Sequence, residues 1–501
     1  MRLNIPRRLR QLAEQADFPL YAVGGAVRDA LAGLPASDDI DICAPADAER
    51  FSALAEKAGI RASAVYKNTG TVLLEEEGRK IEFTSFRTDF YRGGEHAPCA
   101  VRFTDKIEED ALRRDFSCNA VYCDLKTGEV CDPLGGQKDI EERRMATTRP
   151  ADEVFSEDGL RLMRLARQAA QLGFVPSLET ILGAKFNAAR INLISAERIF
   201  AELLLLLHAD EKYGRQYAHY EGLKILEVTE VLNYILPELA AGKGLAQRSD
   251  FHDHDVLEHS FRTCKYADGS IRLAALLHDV GKPAAYLQTG RYHGHDVLGE
   301  GIAREILQRL KAPKKTTELV CRLTALHMYD LDGKARESKI RAFAVKNHDV
   351  YEPLLLLKQA DYSGCKDDLS LCPTIAKWNA VTDKMKEEGA PFTLRELAVR
   401  GDELRGIVPA PETAKVLQKL LLFCAQDGRR NQKETLLREA AHIALRYRER
   451  KRHTPRKGSQ RRRRKNDDRN VRAHRRRVRR GGAHFSGRMP CRFAGAHAQE
   501  G

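Results

Sequence analysis

The chain has 501 residues, of which 43% are hydrophobic and 31% charged, with a formal net charge of +13. This length predicts about three or four domains with apolar cores of their own, and no apolar run approaches the ~18 residues of a membrane span. The basic N-terminus lacks the apolar region of a signal peptide, and eleven cysteines without a C-x-x-C pair argue against a disulfide scaffold or zinc ribbon, so a cytoplasmic protein is expected.

In chain order, a short basic helix comes first. LYAVGG reads as a strand running into a Gly-Gly turn, and VRDALAGL as the helix after it. Gly24 and Gly25 let backbone N–H groups approach an anion without Cβ interference, and Arg28, one turn into the helix, reaches the same phosphates. The spacing fits neither a Walker loop nor a dinucleotide fingerprint. DIDICA is the next strand. Residues i and i+2 of a strand point the same way, so Asp39 and Asp41 share one side while Ile40 faces the core. Parallel carboxylates repel unless a cation lies between them, and Mg²⁺ prefers oxygen ligands. Two such ions would assist in-line displacement of pyrophosphate by a hydroxyl. A solvated acidic loop, with Asp38 beside the pair, is the alternative. TVLLEE and KIEFTSF predict a hairpin joined by Glu77-Gly78-Arg79. Glu82 on its second strand either completes the metal site or faces solvent. Arg114 and Asp115 precede FSCNAV, which reads as an apolar strand.

Beyond Asp152 the pattern turns helical. Glu157-Asp158-Gly159-Leu160-Arg161 opens a helix with Ser156 placed as its N-cap. Asp158, Arg161, Arg164 and Arg167 recur every three residues, within reach of one another. A carboxylate accepts from an exocyclic amino group and an arginine donates to ring acceptors, so one Asp/Arg pair suits cytosine and adenine over guanine and uracil. Arg164 and Arg167 are then left for phosphate or stacking; a plain surface ion pair is the alternative. Farther on, His259 lies in the helical DVLEHSFRT. LAALLHDVGKP supplies His278 and Asp279 at the end of an apolar helix stopped by Gly281 and Pro283, and His293, His295, His327 and Asp361 follow. Imidazole with carboxylate is a normal ligand set for a divalent transition metal. His252 to Asp255 read as a polar loop and the cysteines as packing residues. From Arg450 onward 19 Lys and Arg face three acidic residues, +16 in all, which leaves −3 for residues 1–449. Such a tail cannot bury a core and reads as disordered, either a solvated extension or a non-specific polyanion clamp.

The segments YAVGGAVRDALAGLPASDDIDI, EFTSFRTDFY, EEDALRRDFSCNAV, DPLGGQKDI and FSEDGLRLMRLARQAAQLGF resemble those of class II tRNA nucleotidyltransferases, which comprise bacterial CCA-adding enzymes and poly(A) polymerases. The resemblance spans roughly residues 18–205. It implies an α+β protein: a polymerase-β-like nucleotidyltransferase head, an all-α neck and body, and then more helices. It assigns Gly25 and Arg28 to the triphosphate, Asp39 and Asp41 to the metals, and Arg114 with Asp115 to the nucleotide sugar and phosphates. It makes the Asp158 helix an amino-acid template for CTP and ATP. Members that add only CC have a shortened flexible loop. Here 27 residues separate Arg87 from Arg114, including the turn Arg92-Gly93-Gly94, which favours full CCA addition. The order His…His-Asp…Asp over about 250–366 resembles the HD phosphohydrolase domain. By that resemblance His259, His278, Asp279 and Asp361 bind one metal, His295 and His327 hold a second, and a phosphoester is hydrolysed.

The expected organisation is a head over 1–149, a neck and body over 150–245, an HD domain over 246–366, a helical region over 367–449 and the basic tail over 450–501. The expected partners are the tRNA 3′ end and acceptor stem, with CTP and ATP; the expected cofactors are Mg²⁺ at the head and a divalent transition metal at the HD site. A poly(A) polymerase on the same head, a phosphohydrolase with an inactive RNA-binding head, and a non-enzymatic RNA-binding protein dominated by its tail are the rival readings.

Overall fold

The computed structural model describes residues 3–36, 39–91, 98–250 and 253–453, the last six of these by backbone alone. Asp38, the turn at Arg92-Gly93-Gly94, His252 and the tail beyond 453 therefore lie outside the described residues. The head is a mixed sheet with helices against it. Its strands are β1 (Tyr21–Val23), β2 (Asp39–Ala44), β3 (Ala62–Tyr66), β4 (Thr71–Glu76), β5 (Arg79–Ser85), β6 (Arg87–Phe90), β7 (Ala100–Phe103), β8 (Tyr122–Asp124) and β9 (Val130–Cys131). Seven of them form one sheet in the order β3-β4-β5-β2-β1-β8-β9, and β6 pairs with β7 separately. Residues Glu77 and Gly78 join β4 to β5, both at positive φ, as a two-residue hairpin turn requires. Arg79 already belongs to the second strand.

Alternation along β2 divides the head into two layers. Ile40 and Ile42 point to one face, where Phe51 of the helix Ala48–Lys57 stacks on Phe83 at 3.8 Å. Asp39, Asp41 and Cys43 point to the other. Cys43 packs with Val23, Phe86, Ala111, Ala120 and Tyr122, while the two carboxylates at the strand's start stay exposed. Burying the hydrophobic side of the strand, worth roughly 1.5–3 kcal/mol per large side chain, fixes the register and so fixes the acidic pair.

Two expected local features differ. FSCNAV is not a strand: Ser117–Asn119 form a 3-10 turn and the strand starts at Tyr122. The Ser117 hydroxyl is held by Asp139 and the Ala146 carbonyl, which competes with a ladder. The stretch from Arg87 to Arg114 is not one long loop either. Strands β6 and β7 and the helix Ile107–Leu112 take up most of it, and only Tyr91 to Cys99 connect the two strands.

Helices follow. Ala151–Glu157 and Leu160–Leu172 are separate, and Asp158 lies between them. Ser156 is therefore inside the first helix, donating to Glu153 O at 2.9 Å, and is not an N-cap. The Asp158 carboxylate does that work, accepting from Leu160 N at 2.9 Å. Gly173, at φ +68°, ends the second helix. The contacts divide the chain into two compact units, one ending at Glu387 and the other starting at Glu388. Packing continues past the boundary expected near Cys365, because Trp378 of the helix Pro373–Glu387 is fully buried and stacks with Tyr351 at 5.8 Å. Within the second unit the helix Thr413–Gln426 buries Val416, Leu420 and Cys424, and Lys433–His453 buries Leu436 and Ala440. Among the described residues no helix is long and apolar enough to cross a membrane.

Candidate active sites

The first site is a cavity of about 670 Å³ between the head and the helix Leu160–Leu172. Gly24, Gly25, Arg28, Asp39, Asp41, Arg114, Asp115, Asp158, Arg161, Arg164 and Arg167 all line it, so the structure gathers every residue expected there. Arg87, Arg113, Arg198 and Lys212 line it as well, giving nine cationic side chains against the five aspartates 39, 41, 89, 115 and 158. An excess of positive charge around two exposed carboxylates suits a polyanion that brings its own cation.

Gly24 has a sharper reason to be glycine than openness to an anion. Its φ of +73° disfavours any other residue, and an added Cβ would sit 2.9 Å from Asp41 Oδ2. The turn and the carboxylate are thus packed directly together. Asp41 is in register with Val23 on β1 and with Glu82 on the parallel β5. Glu82 is exposed on the same side as Asp41, and burial followed by the charge of Asp41 holds its pKa above the ordinary value. Water reaches Asp41, yet the surrounding walls desolvate it enough to raise its pKa, against the pull of Arg114 and Arg164. A carboxylate in that state, beside Asp39, gains from a hard cation.

The arginines are held more firmly than their spacing foretells. Arg28 is buried and donates to Asp29 Oδ1 (2.7 and 2.9 Å) and Asn119 Oδ1 (2.6 Å). Arg114 donates to Asp110 Oδ2 at 3.0 Å and lies over the Tyr122 ring at 5.4 Å. Asp110 also accepts from Arg113 (2.7 Å) and from the Tyr122 hydroxyl (2.8 Å). Burial would raise Asp110, but these arginines outweigh it and bring it to about 2. Arg161 donates to the carbonyls of Val154 (3.0 Å) and Arg113 (2.8 Å). Arg164 is bound to Asp115 at 2.6 Å and Arg167 to Glu202 at 2.6 Å, so neither is left over for a ligand alone. Each such pair locks an arginine's planar fork at the cavity wall. Asp158 is different. Burial lifts its pKa to about 6, and its carboxyl lines the cavity.

The second site lies among helices. His259 is on Val256–Tyr266, whose N-cap Asp255 accepts from Glu258 N at 2.8 Å. His278 and Asp279 follow the fully buried Arg272–Leu277, His295 opens His295–Arg309, His327 follows Lys314–Leu326 and Asp361 lies on His348–Lys366. Two glycines bring these elements together. A Cβ on Gly364 would meet Thr263 Oγ1 at 2.6 Å, and one on Gly281 would meet His295 O at 2.1 Å.

His278, His295 and His327 each place Nδ1 at 2.6–2.7 Å from the carbonyl three residues earlier. A carbonyl can only accept, so Nδ1 carries a proton and Nε2 is the nitrogen turned toward the site. All three Nε2 atoms converge on Asp279. Its Oδ2 is 3.2 Å from His278 Nε2 and 3.4 Å from His259 Nε2, whereas its Oδ1 is 3.1 Å from His295 Nε2 and 3.5 Å from His327 Nε2. His259 Nε2 is also 3.1 Å from Asp361 Oδ1. Ligands about 2.0–2.1 Å from a tetrahedral ion lie roughly 3.3–3.5 Å apart, so these separations fit metal binding. His278 Nε2 is a buried atom that makes no well-formed hydrogen bond, which fits it too. Burial works against ionisation here, yet His278 and Lys282 hold Asp279 well below the usual carboxylate range. Among the described residues the possible metal groups are His259 with His278 and Asp279, Asp279 with His295 and His327, and His259 with Asp361 and Cys365.

Two members of this site escaped the sequence reading. Lys282, three residues after Asp279, places Nζ 2.6 Å from Asp279 Oδ2. Cys365, one helical turn after Asp361, places Sγ within 4.8 Å of ligand atoms of His259 and Asp361. The i,i+3 and i,i+4 spacings were the available signals.

The Poly A polymerase head domain model matches residues 20–146 and the HD domain model matches 256–362. The chain is 32% identical over 422 residues to the A-adding tRNA nucleotidyltransferase of Deinococcus radiodurans, covering 79% of this chain and 89% of that one. It is 33% identical over 370 residues to a Multifunctional CCA protein of Xylella fastidiosa, covering 69% and 83%. The Bacillus stearothermophilus CCA-adding enzyme, solved in complex with CTP, superposes with a TM-score of 0.62 at 25% identity, over 88% of this chain and 97% of that one. The same fold recurs in a Thermotoga maritima CCA-adding enzyme complexed with tRNA (TM-score 0.55, 16% identity, 87% and 94% covered). With both domains matched in order and most of its length shared, the chain belongs to the tRNA nucleotidyltransferase family.

Proposed function

We propose that this protein adds C, C and A to the 3′ end of tRNA from CTP and ATP without a nucleic-acid template, and carries a phosphohydrolase site in its HD domain. The observation that carries the first part is the Asp39–Asp41 pair, exposed beside Gly24 at the floor of an arginine-lined cavity. Asp39 and Asp41 hold Mg²⁺, which when bound neutralises the triphosphate and favours attack by the tRNA hydroxyl. Gly24 and Gly25 leave room for the phosphates, while Arg28, Arg114 and the Asp115–Arg164 pair orient them and the sugar. Asp158 accepts from the base amino group, and Arg161 stands beside it at the wall. The acceptor stem lies along the helical body, gripped by backbone shape and charge. At the HD site, His259, His278, Asp279 and Asp361 would hold a divalent transition ion, and His295 with His327 would hold a second. The organisation is a head over 1–149, a neck and body over 150–245, an HD domain over 246–366 and a helical region over 367–449.

Incubating the protein with tRNA that lacks its 3′ CCA tests the reading: CTP alone yields two added cytidines, and CTP with ATP yields the full end. A second reading has a specific observation behind it, the long match to an A-adding relative. If the protein adds only A, tRNA ending in CC is extended by ATP while tRNA lacking CC takes no cytidine. Extension by long runs of A, with CTP unused, would replace both with a poly(A) polymerase.

A further inference from the structure

Resting on the reading that the HD site binds an ion, we propose that the Cys365 thiolate is an additional ligand of the ion held by His259 and Asp361, so that the centre selects a soft divalent transition ion over Mg²⁺. Cys365 Sγ, a ring nitrogen of His259 and a carboxylate oxygen of Asp361 all lie within 4.8 Å of one another. Asp361 and Cys365 are four residues apart on one helix and so share its face. Gly364, the residue before this cysteine on the helix, lies so close to Thr263 that a Cβ there would come within 2.6 Å of its hydroxyl. That contact draws the cysteine-bearing helix onto the one carrying His259. An independent observation points to an ion in the same place. His278 Nε2, on a side chain 1% exposed, makes no well-formed hydrogen bond and lies 3.6 Å from Asp361 Oδ1.

The thiolate changes what the site can hold. Two carboxylates and two imidazoles accept many divalent ions, but a thiolate favours Zn²⁺, Co²⁺ or Fe²⁺ and offers nothing to Mg²⁺. Binding releases the thiol proton to solvent, because only the thiolate ligates. Among the described residues Cys365 is the cysteine that takes part in a possible metal group.

The test is Co²⁺ titration of the full-length protein after metal removal by a chelator, followed by absorption spectroscopy. The expected result is visible ligand-field bands that saturate together with a near-ultraviolet sulfur-to-cobalt charge-transfer band. In Cys365→Ser, whose folding is checked by circular dichroism, the visible bands persist and the near-ultraviolet band is lost. Visible bands without the near-ultraviolet band in the unmutated protein would overturn the thiolate ligand and leave the metal site standing. A near-ultraviolet band that survives in Cys365→Ser would also overturn it, since another cysteine would then be its source. Absence of Co²⁺ binding altogether would remove the metal site and the proposal with it.

Discussion

The head and the HD site hold their acidic groups in opposite ways. At the head, Asp39 and Asp41 stand exposed on a strand end, and the rigid part of the site is a set of arginines, among which Arg114, Arg161, Arg164 and Arg167 are tied to carboxylates or carbonyls. In the HD site the acidic residue Asp279 is buried among three histidines whose other nitrogens are fixed by backbone carbonyls. An open carboxylate pair suits an ion that arrives with a large substrate and leaves with its product. A buried, preoriented set suits an ion that stays.

The largest expected effect comes from dismantling the arginine set from beneath. Asp110 is fully buried and accepts from Arg113, Arg114 and Tyr122. Asp110→Ala takes the shared carboxylate from two largely buried guanidinium groups, which costs about 3 kcal/mol, and urea unfolding should read that loss. Loss of under about 1 kcal/mol would mean the arginines are held by something else. Next, Asp279→Ala should abolish tight metal retention, with affinity down by at least about a hundredfold by metal analysis, while nucleotide addition continues. Addition that falls in parallel would show the two sites to be one functional unit. Gly24→Ala is smaller. The added Cβ meets Asp41 Oδ2 and the φ is strained by about 1–2 kcal/mol, so addition should fall about tenfold with the fold retained on circular dichroism.

How much of this contrast the sequence discloses depends on how local its causes are. The period of two in DIDICA announces that Asp39 and Asp41 share a face, and the order of histidines and aspartates, through its resemblance to HD domains, singles out residues that gather around Asp279. The partners of the arginines are not local. Asp115 and Arg164 are 49 residues apart and Arg167 and Glu202 are 35 apart, so spacing along one helix makes Arg164 and Arg167 look available when both are engaged. The same limit hides Gly364 against Thr263 and the turn at Ser117, whose cause is Asp139, 22 residues away. That Asp279 presents one oxygen to each histidine pair is likewise a matter of three-dimensional approach.

The smallest predicted effect is a pH dependence. Burial lifts the Asp158 pKa to about 6, so its carboxylate is ionised above that pH and protonated below it. Accepting from a base amino group needs the ionised form. The KM for CTP should therefore rise about fourfold between pH 7.5 and 5.5, and Asp158→Asn should flatten that rise. An unchanged slope in the variant would assign base recognition elsewhere on the wall.

The role of the acidic pair is decided by comparing the unmutated protein with Asp41→Ala on tRNA lacking its CCA end, supplied with CTP, ATP and Mg²⁺. Complete CCA addition is expected from the former and a rate at least about a thousandfold lower from the latter, with the variant still folded. Extension by Asp41→Ala at the unmutated rate would contradict that role.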